Sequence, residues 1–227
     1  MKQFLKKYRH AVPLILYAIL YLSWFSHLEQ NVTSRFHVIH MAIDNYIPFC
    51  EFFIVPYILW FIYVAATVLY FFFTDKDDYY RACTFLFTGM TIFLIVSTIY
   101  PNGHHLRPAQ LPRDNIFAQM VAALYRIDTP TNLFPSIHVY NSLSAHFAVM
   151  NSKRLADKKV IRIGSGILCL SIIMSTMFLK QHSFFDVLTA FLLAALMYLL
   201  VYRRDIVLSV KRQLQPSKKK NQPRTNI

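Results

Sequence analysis

The sequence predicts an all-α integral membrane protein of six transmembrane helices, and three observations carry that prediction. Hydrophobic residues fill 56% of the 227 positions and aromatic ones 16%, with a mean hydropathy of +0.36, more apolar surface than one soluble core of this length can hide. The apolar residues fall in runs of bilayer length, about 20 residues for a hydrocarbon slab about 30 Å thick. Basic residues gather on alternate sides of those runs.

The first run, Ala11 to Phe25, follows a basic start of Lys2, Lys6, Lys7 and Arg9. It has no small-residue cleavage site and further spans follow, so it reads as an anchor and not a removed signal. Phe52 to Phe73 and Cys83 to Tyr100 supply the second and third spans, with a loop over residues 74–82 between them. The fourth, Ser136 to Met150, is short, and at 1.5 Å per residue covers only about 22 Å, so its start sits below the membrane surface. Ile161 to Leu179 and Ser183 to Tyr202 are the fifth and sixth, joined by Lys180, Gln181 and His182, which suffice only for a tight hairpin.

Nineteen of the 24 Lys and Arg lie at the start, in the 74–82 and 151–162 loops and after Tyr202. The opposite side holds only Arg35, Arg107, Arg113, Arg126 and Lys180. Both termini are therefore placed in the cytoplasm, and spans four and six begin on the outer face. His138 and His182 then lie at one level near the outer leaflet. The formal charge of +13 is a topology signal; no single basic stripe with interleaved aromatics points to nucleic acid. Cys50, Cys83 and Cys169 are far apart and give neither a C-x-x-C pair nor a disulfide framework. Residues 1–210 read as a single six-span membrane domain, and residues 211–227 as a basic cytoplasmic tail whose composition predicts disorder and contact with anionic lipid headgroups.

Two outer segments remain. In Pro101 to Pro135, Asp114 can cap a helix whose Ile116, Phe117, Met120, Val121, Leu124 and Ile127 recur at helical spacing. The segment from His27 to Glu51 has a similar look around Val38, Ile39, Met41 and Ile47. Both read as pieces anchored in the interface, with a lid or lipid entrance as the alternative.

Chemistry concentrates at two helix mouths. His182 and Asp186 are four apart at the start of span six, so they share a face and the carboxylate can orient the imidazole and support its cationic form. His138 stands two residues after Ser136, a natural N-cap, beside the free N–H groups of that helix end. Two helix N-termini facing one pocket favour an anion, and phosphate is the commonest such anion. Arg107, followed by Pro108, offers a fork for phosphate oxygens, with Lys180 and Arg113 as weaker candidates. Asp186 is the only acid deep in any span, an expensive placement that marks function.

These residues resemble the type 2 phosphatidic acid phosphatase (PAP2) superfamily, whose pattern is K-x6-R-P, P-S-G-H and S-R-x5-H-x3-D. Here the second motif reads Pro135-Ser136-Ile137-His138, and the third reads Ser175-Thr176, then His182, then Asp186. The first survives as Arg107-Pro108, with Tyr100 at the lysine position, and Thr176 replaces the arginine of the third. The resemblance covers about Tyr100 to Tyr202. It implies a PAP2-like helical bundle and a metal-independent reaction without cofactor, in which His182 attacks phosphorus, Asp186 stabilises its charge and His138 protonates the leaving oxygen. It further implies that Arg107 and Ser136 hold phosphate oxygens and that Ser175 is a secondary contact. The implied substrate is a membrane lipid phosphate or diphosphate, hydrolysed through a phosphohistidine. The phosphotransferase branch, similar to inositol phosphorylceramide and sphingomyelin synthases, shares the Phe-Pro-Ser-x-His form, so transfer of a phospho-headgroup to a diacylglycerol- or ceramide-like acceptor is the rival.

Other readings attach to the same residues. His138 alone can be a span-end histidine bonded to a neighbouring helix, and His182 with Asp186 a structural ion pair. His104 and His105 read as loop residues, and His146 as a packing residue. A proton-coupled transporter would need broken spans and internal symmetry, which the sequence lacks. A zinc hydrolase would need a ligand cluster such as H-E-x-x-H, also missing from the sequence. A lipid-phosphate binder without activity is disfavoured by the complete His, His, Asp set.

Overall fold

The computed structural model describes residues 9–32 and 35–205. Lys2, Lys6 and Lys7 of the basic start and the basic tail lie outside the described residues. Seven α-helices occur among the described residues: α1 (Ala11–Asn31), α2 (Ile54–Thr74), α3 (Lys76–Ile99), α4 (Ile116–Ile127), α5 (Ile137–Asn151), α6 (Lys159–Phe178) and α7 (Phe184–Tyr198). The last continues into one π turn, Leu199–Arg203.

Among the described residues, five stretches are long and apolar enough to cross a bilayer: Ala11–Asn31, Glu51–Thr74, Lys76–Ile99, Lys159–Phe178 and Phe184–Arg203. The fold is thus that of an all-α membrane protein, and the predicted fourth span, α5, falls short of that length at 15 residues. It is the hub of the bundle. Helices α2, α3, α6 and α7 all pack on it, and Tyr140 to Ala145 form an unbroken buried run. A helix enclosed by protein can carry Asn141, Ser142 and Ser144, which lipid would exclude. Its apolar contacts, Val139, Tyr140 and Leu143, join Trp60, Phe85, Ile172, Val187 and Ala190 in the main core.

Helix α1 sits outside this core, with only Tyr21 and Leu28 buried. It is held to α3 by a Tyr17 hydroxyl donating to the Phe87 carbonyl at 2.9 Å and a Trp24 indole N–H donating to Thr98 Oγ1 at 3.0 Å. The predicted 74–82 loop is helical instead, and Asp75 alone separates α2 from α3. Its extended backbone and carboxylate, accepting from Asp77 N and Asp78 N at 3.0 and 3.1 Å, start α3 at once, and both following acids suit the helix N-terminus.

Helix α4 appears where its periodicity placed it, but its cap is Asn115 and not Asp114. The Asn115 carbonyl accepts from Ala118 N at 2.9 Å, while Asp114 accepts from the Gln119 side chain. Val121 of α4 packs on Ile54 and Tyr57 of α2 and on Leu179. The earlier outer segment is irregular: strand β1 (His37–Val38) pairs in parallel with β2 (Asn102–Gly103), and Ala42–Asn45 make a 3-10 turn. Asn102 ties this pairing to α5, because its carbonyl oxygen accepts from Leu133 N and Phe134 N at 2.8 and 2.9 Å, just ahead of Ser136.

Where α3 meets α5, a Cβ on Gly89 would lie 2.0 Å from the Tyr140 ring, which is fixed by its hydroxyl donating to Phe85 O at 2.8 Å. Gly89→Ala therefore forces the helices apart and costs about 1–3 kcal/mol, read as a lower thermal unfolding midpoint in detergent. Gly164→Ala, whose Cβ meets nothing within 4 Å, does not lower it.

Candidate active site

Ser183 and Asp186 begin α7 as a capping box. Asp186 Oδ2 accepts from Ser183 N at 3.0 Å and stands 3.4 Å from His182 Nδ1, so one carboxylate oxygen starts the helix and orients the imidazole. That oxygen is an acceptor, so the facing Nδ1 carries the proton and Nε2 keeps its lone pair. Nε2 lies 3.3 Å from His138 Nδ1, uniting the two helix mouths. His182 is 4% exposed and Asp186 is fully buried. Burial and then the charge of Arg107 hold His182 below the ordinary histidine range, leaving a neutral ring at pH 7.

The hairpin carrying His182 folds back on α6, where the Thr176 carbonyl accepts from Gln181 N and His182 N at 2.9 and 3.0 Å. Ser136 caps α5 by accepting from Val139 N at 3.3 Å, and its own N–H donates to the Asp186 carbonyl at 3.3 Å. The α7 N-terminus is closed to ligands. Ser183 N goes to Asp186, Phe184 N to Asp44 Oδ1 at 2.8 Å and Phe185 N to Ser183 Oγ at 3.2 Å. At α5, by contrast, Ile137 N and His138 N find no acceptor among the described residues. One open helix mouth stands where the sequence predicts two.

Arg107 is brought close but is partly engaged. Nη1 donates to the carbonyls of Tyr125 and Asp128 at 3.3 and 2.8 Å, Nη2 donates to Gln181 Oε1, and the guanidinium lies over the Tyr125 ring. Its Nε–H has no partner among the described residues, so that donor and one on Nη2 remain of the five. The structure does not bring Ser175 or Lys180 to the histidines. Ser175 is buried in α6 with its hydroxyl donating to Ile172 O at 2.6 Å, and Lys180 Nζ donates to the Asp44 carbonyl at 2.8 Å and to that of Ile47. Arg113 is spent on buried Glu51 at 3.0 Å.

Sequence reasoning misses several residues. Gln181 is buried and links Arg107, Tyr57 and Asp128. His104 Nδ1 accepts from Leu106 N, so Nε2 carries the proton and donates to Gln181 O at 2.9 Å; burial pushes His104 down to about 4. Ser183-x-x-Asp186 before an apolar run is a sequence signal that finds the cap. Asp44, Gln181 and Asn102 carry no local pattern.

A cavity of about 620 Å³ opens beside His138 between α1, α2, α4 and α5. Tyr21, Phe25, Tyr57, Trp60 and Phe61 make it apolar, while Glu29 and Asp128 give it two carboxylates. The His138 ring rests against Trp60 and Tyr57, with centroids 4.4 and 4.8 Å away. A neutral histidine with a lone pair on Nε2, a second histidine against it and an apolar cavity beside them are an arrangement suited to nucleophilic chemistry.

The PAP2 superfamily model matches residues 107–205, the stretch holding Arg107 and both histidine-bearing helix mouths. Members of that superfamily generally act on phosphoesters, and the match points to phosphatase- or phosphotransferase-type activity on lipid phosphate. No curated protein and no solved structure matches the chain.

Burial raises Asp128 from 3.8 to about 6 against the pull of Arg107, with Glu29 adding to the rise. The folded chain then holds this proton more tightly than the unfolded one, so the contribution of Asp128 to stability falls as pH rises from about 4 to about 6 and levels above, opposite in sign to that of His104, whose depressed value adds stability over the same interval. In detergent melts, Asp128→Asn removes this falling contribution, so its unfolding midpoint rises more steeply with pH over that interval than the wild type's.

Proposed function

We propose that the chain is a six-span, metal-independent lipid phosphatase, hydrolysing a lipid phosphate or diphosphate through a phosphohistidine on His182. The observation that carries this reading is the orientation of His182, with Nδ1 on Asp186 and the lone pair of Nε2 toward His138. A phosphoryl group enters between the two rings. Nε2 forms the bond to phosphorus as the bond to the lipid oxygen breaks, and His138 gives that oxygen its proton while the positive charge on His182 is balanced by Asp186. Water, giving its proton to His138, then attacks phosphorus and returns the electron pair to Nε2. The free donors of Arg107 and the open N–H groups of Ile137 and His138, in the helix start set by Ser136, hold the phosphoryl oxygens.

In this reading α5 is the fourth of six spans, entered from the outer face, with both termini cytoplasmic, α4 in the outer interface and residues 1–210 forming one domain. The basic residues at 211–227 bind anionic lipid. The lipid tail occupies the cavity beside His138.

Transfer to a second lipid's hydroxyl is favoured by a different observation. Lys180 and Arg113 are committed elsewhere, while the cavity wall next to His138 carries Glu29 and Asp128. These carboxylates suit an alcohol hydroxyl as acceptor better than a multiply charged phosphate.

Purified protein incubated with labelled lipid phosphates and with diacylglycerol or ceramide acceptors separates the two, through release of free phosphate or formation of new phospholipid. Turnover persists in EDTA. His182→Ala abolishes it and removes an acid-labile, base-stable phosphoenzyme, and His138→Ala lowers it about 10²–10⁴-fold. Full turnover in both variants would refute the mechanism.

A further inference from the structure

The outer segment before α2 reaches into the hairpin that carries His182. Asp44, 2% exposed, sets its carboxylate on the α7 N-terminus, where Oδ1 accepts from Phe184 N at 2.8 Å and Oδ2 from the Ser183 hydroxyl. Oδ2 also accepts from Met41 N at 2.8 Å, which fixes the carboxylate to its own turn. The link is returned from the other side of His182. Lys180 Nζ donates to the carbonyls of Asp44 and Ile47, and Cys50 N donates to Phe178 O at 3.0 Å.

Lys180 has φ +52°, a left-handed conformation that a lysine adopts only when its surroundings impose it. His182 is therefore held between two attachments to one segment, a side chain bound to the backbone of 44 and 47 and a helix start bound to the Asp44 carboxylate. A slip of either moves Ser183 N, and with it the Asp186 oxygen that orients the imidazole. Asp44 touches neither histidine. We propose that Asp44 is a positioning residue for His182, acting through Ser183 and Phe184 to fix the imidazole for attack. This rests on the phosphohistidine reading, but its geometry can be tested apart from it.

In the full chain in lipid–detergent micelles, Asp44→Ala slows phosphohistidine formation about 10²-fold, the scale of a displaced reactive group, while KM stays within about twofold. Asp44→Asn keeps an acceptor for Phe184 N but loses one for Ser183, and retains an intermediate rate. Hydrogen exchange of the 181–185 amides accelerates in both variants, with α2 and α3 protection unchanged. If Asp44→Ala does not fold, Ser183→Ala, which deletes the hydroxyl link to Asp44 together with the cap on Phe185 N, takes its place with the same ordering of rates. Unchanged hairpin exchange and wild-type phosphoenzyme rates overturn the proposal, as does a loss confined to KM. A wild-type chain that forms no phosphohistidine, together with faster hairpin exchange in Asp44→Ala, overturns the functional reading while the clamp itself stands.

Discussion

A polar helix can occupy the centre of a membrane protein only when other helices take the lipid contact, and the rest of this structure depends on that constraint. Helix α5 carries two histidines, two asparagines and two serines in 15 residues, too polar and too short to face hydrocarbon. Enclosure by α2, α3, α6 and α7 removes the penalty, and the close approach at Gly89 shows how tightly that enclosure is drawn. The consequence for the site is positional. At the start of this enclosed helix, His138 opens onto a cavity walled by apolar rings instead of bulk water.

The two helix mouths that meet at the histidines are not equivalent. At α7 every early N–H is answered by protein, from Asp186, Asp44 and Ser183, which makes it a fixed mount for His182. At α5 the first N–H groups are left open beside His138. Saturation at one mouth gives rigidity, and openness at the other leaves dipole and donors for an incoming anion. A site with both mouths open would bind anions more strongly but would leave its imidazole poorly oriented.

Much of the fold was legible because bilayer-length apolar runs and their flanking charges obey one-dimensional rules. The meeting of His138 with His182 followed from that topology, since two spans starting on one face bring their N-termini to one level. What was not legible depends on contacts distant in sequence. Asp75 turned a loop into a one-residue junction, a cap geometry that the acids at 77 and 78 disguised as a polar linker. Asn115 displaced Asp114 as the cap of α4 because its backbone is extended at the point where the helix begins. Lys180 looked free beside His182, yet its amine is directed to carbonyls more than 130 positions away. Asp44 sits in a segment whose sequence gives no hint that it caps a helix 140 residues later.

Charge bookkeeping around the histidines separates the chemistry from the choice of substrate. Orientation of His182 comes from Asp186, the hairpin and the Asp44 carboxylate that holds it, and none of these needs a surrounding field of cations. Binding of a phosphate does need positive charge, and the residues at the two altered motif positions, Tyr100 and Thr176, supply none. Arg107 remains, with part of its donor capacity held by carbonyls and Gln181, and Asp128 lies near enough to offset it. In a medium of low dielectric each unbalanced charge on a ligand weighs heavily. In the proposed reaction, a substrate carrying one negative charge on phosphorus therefore fits this environment better than one carrying two, while His182 would attack either in the same way. Discrimination rests with the cavity wall, and reactivity rests with the helix cap.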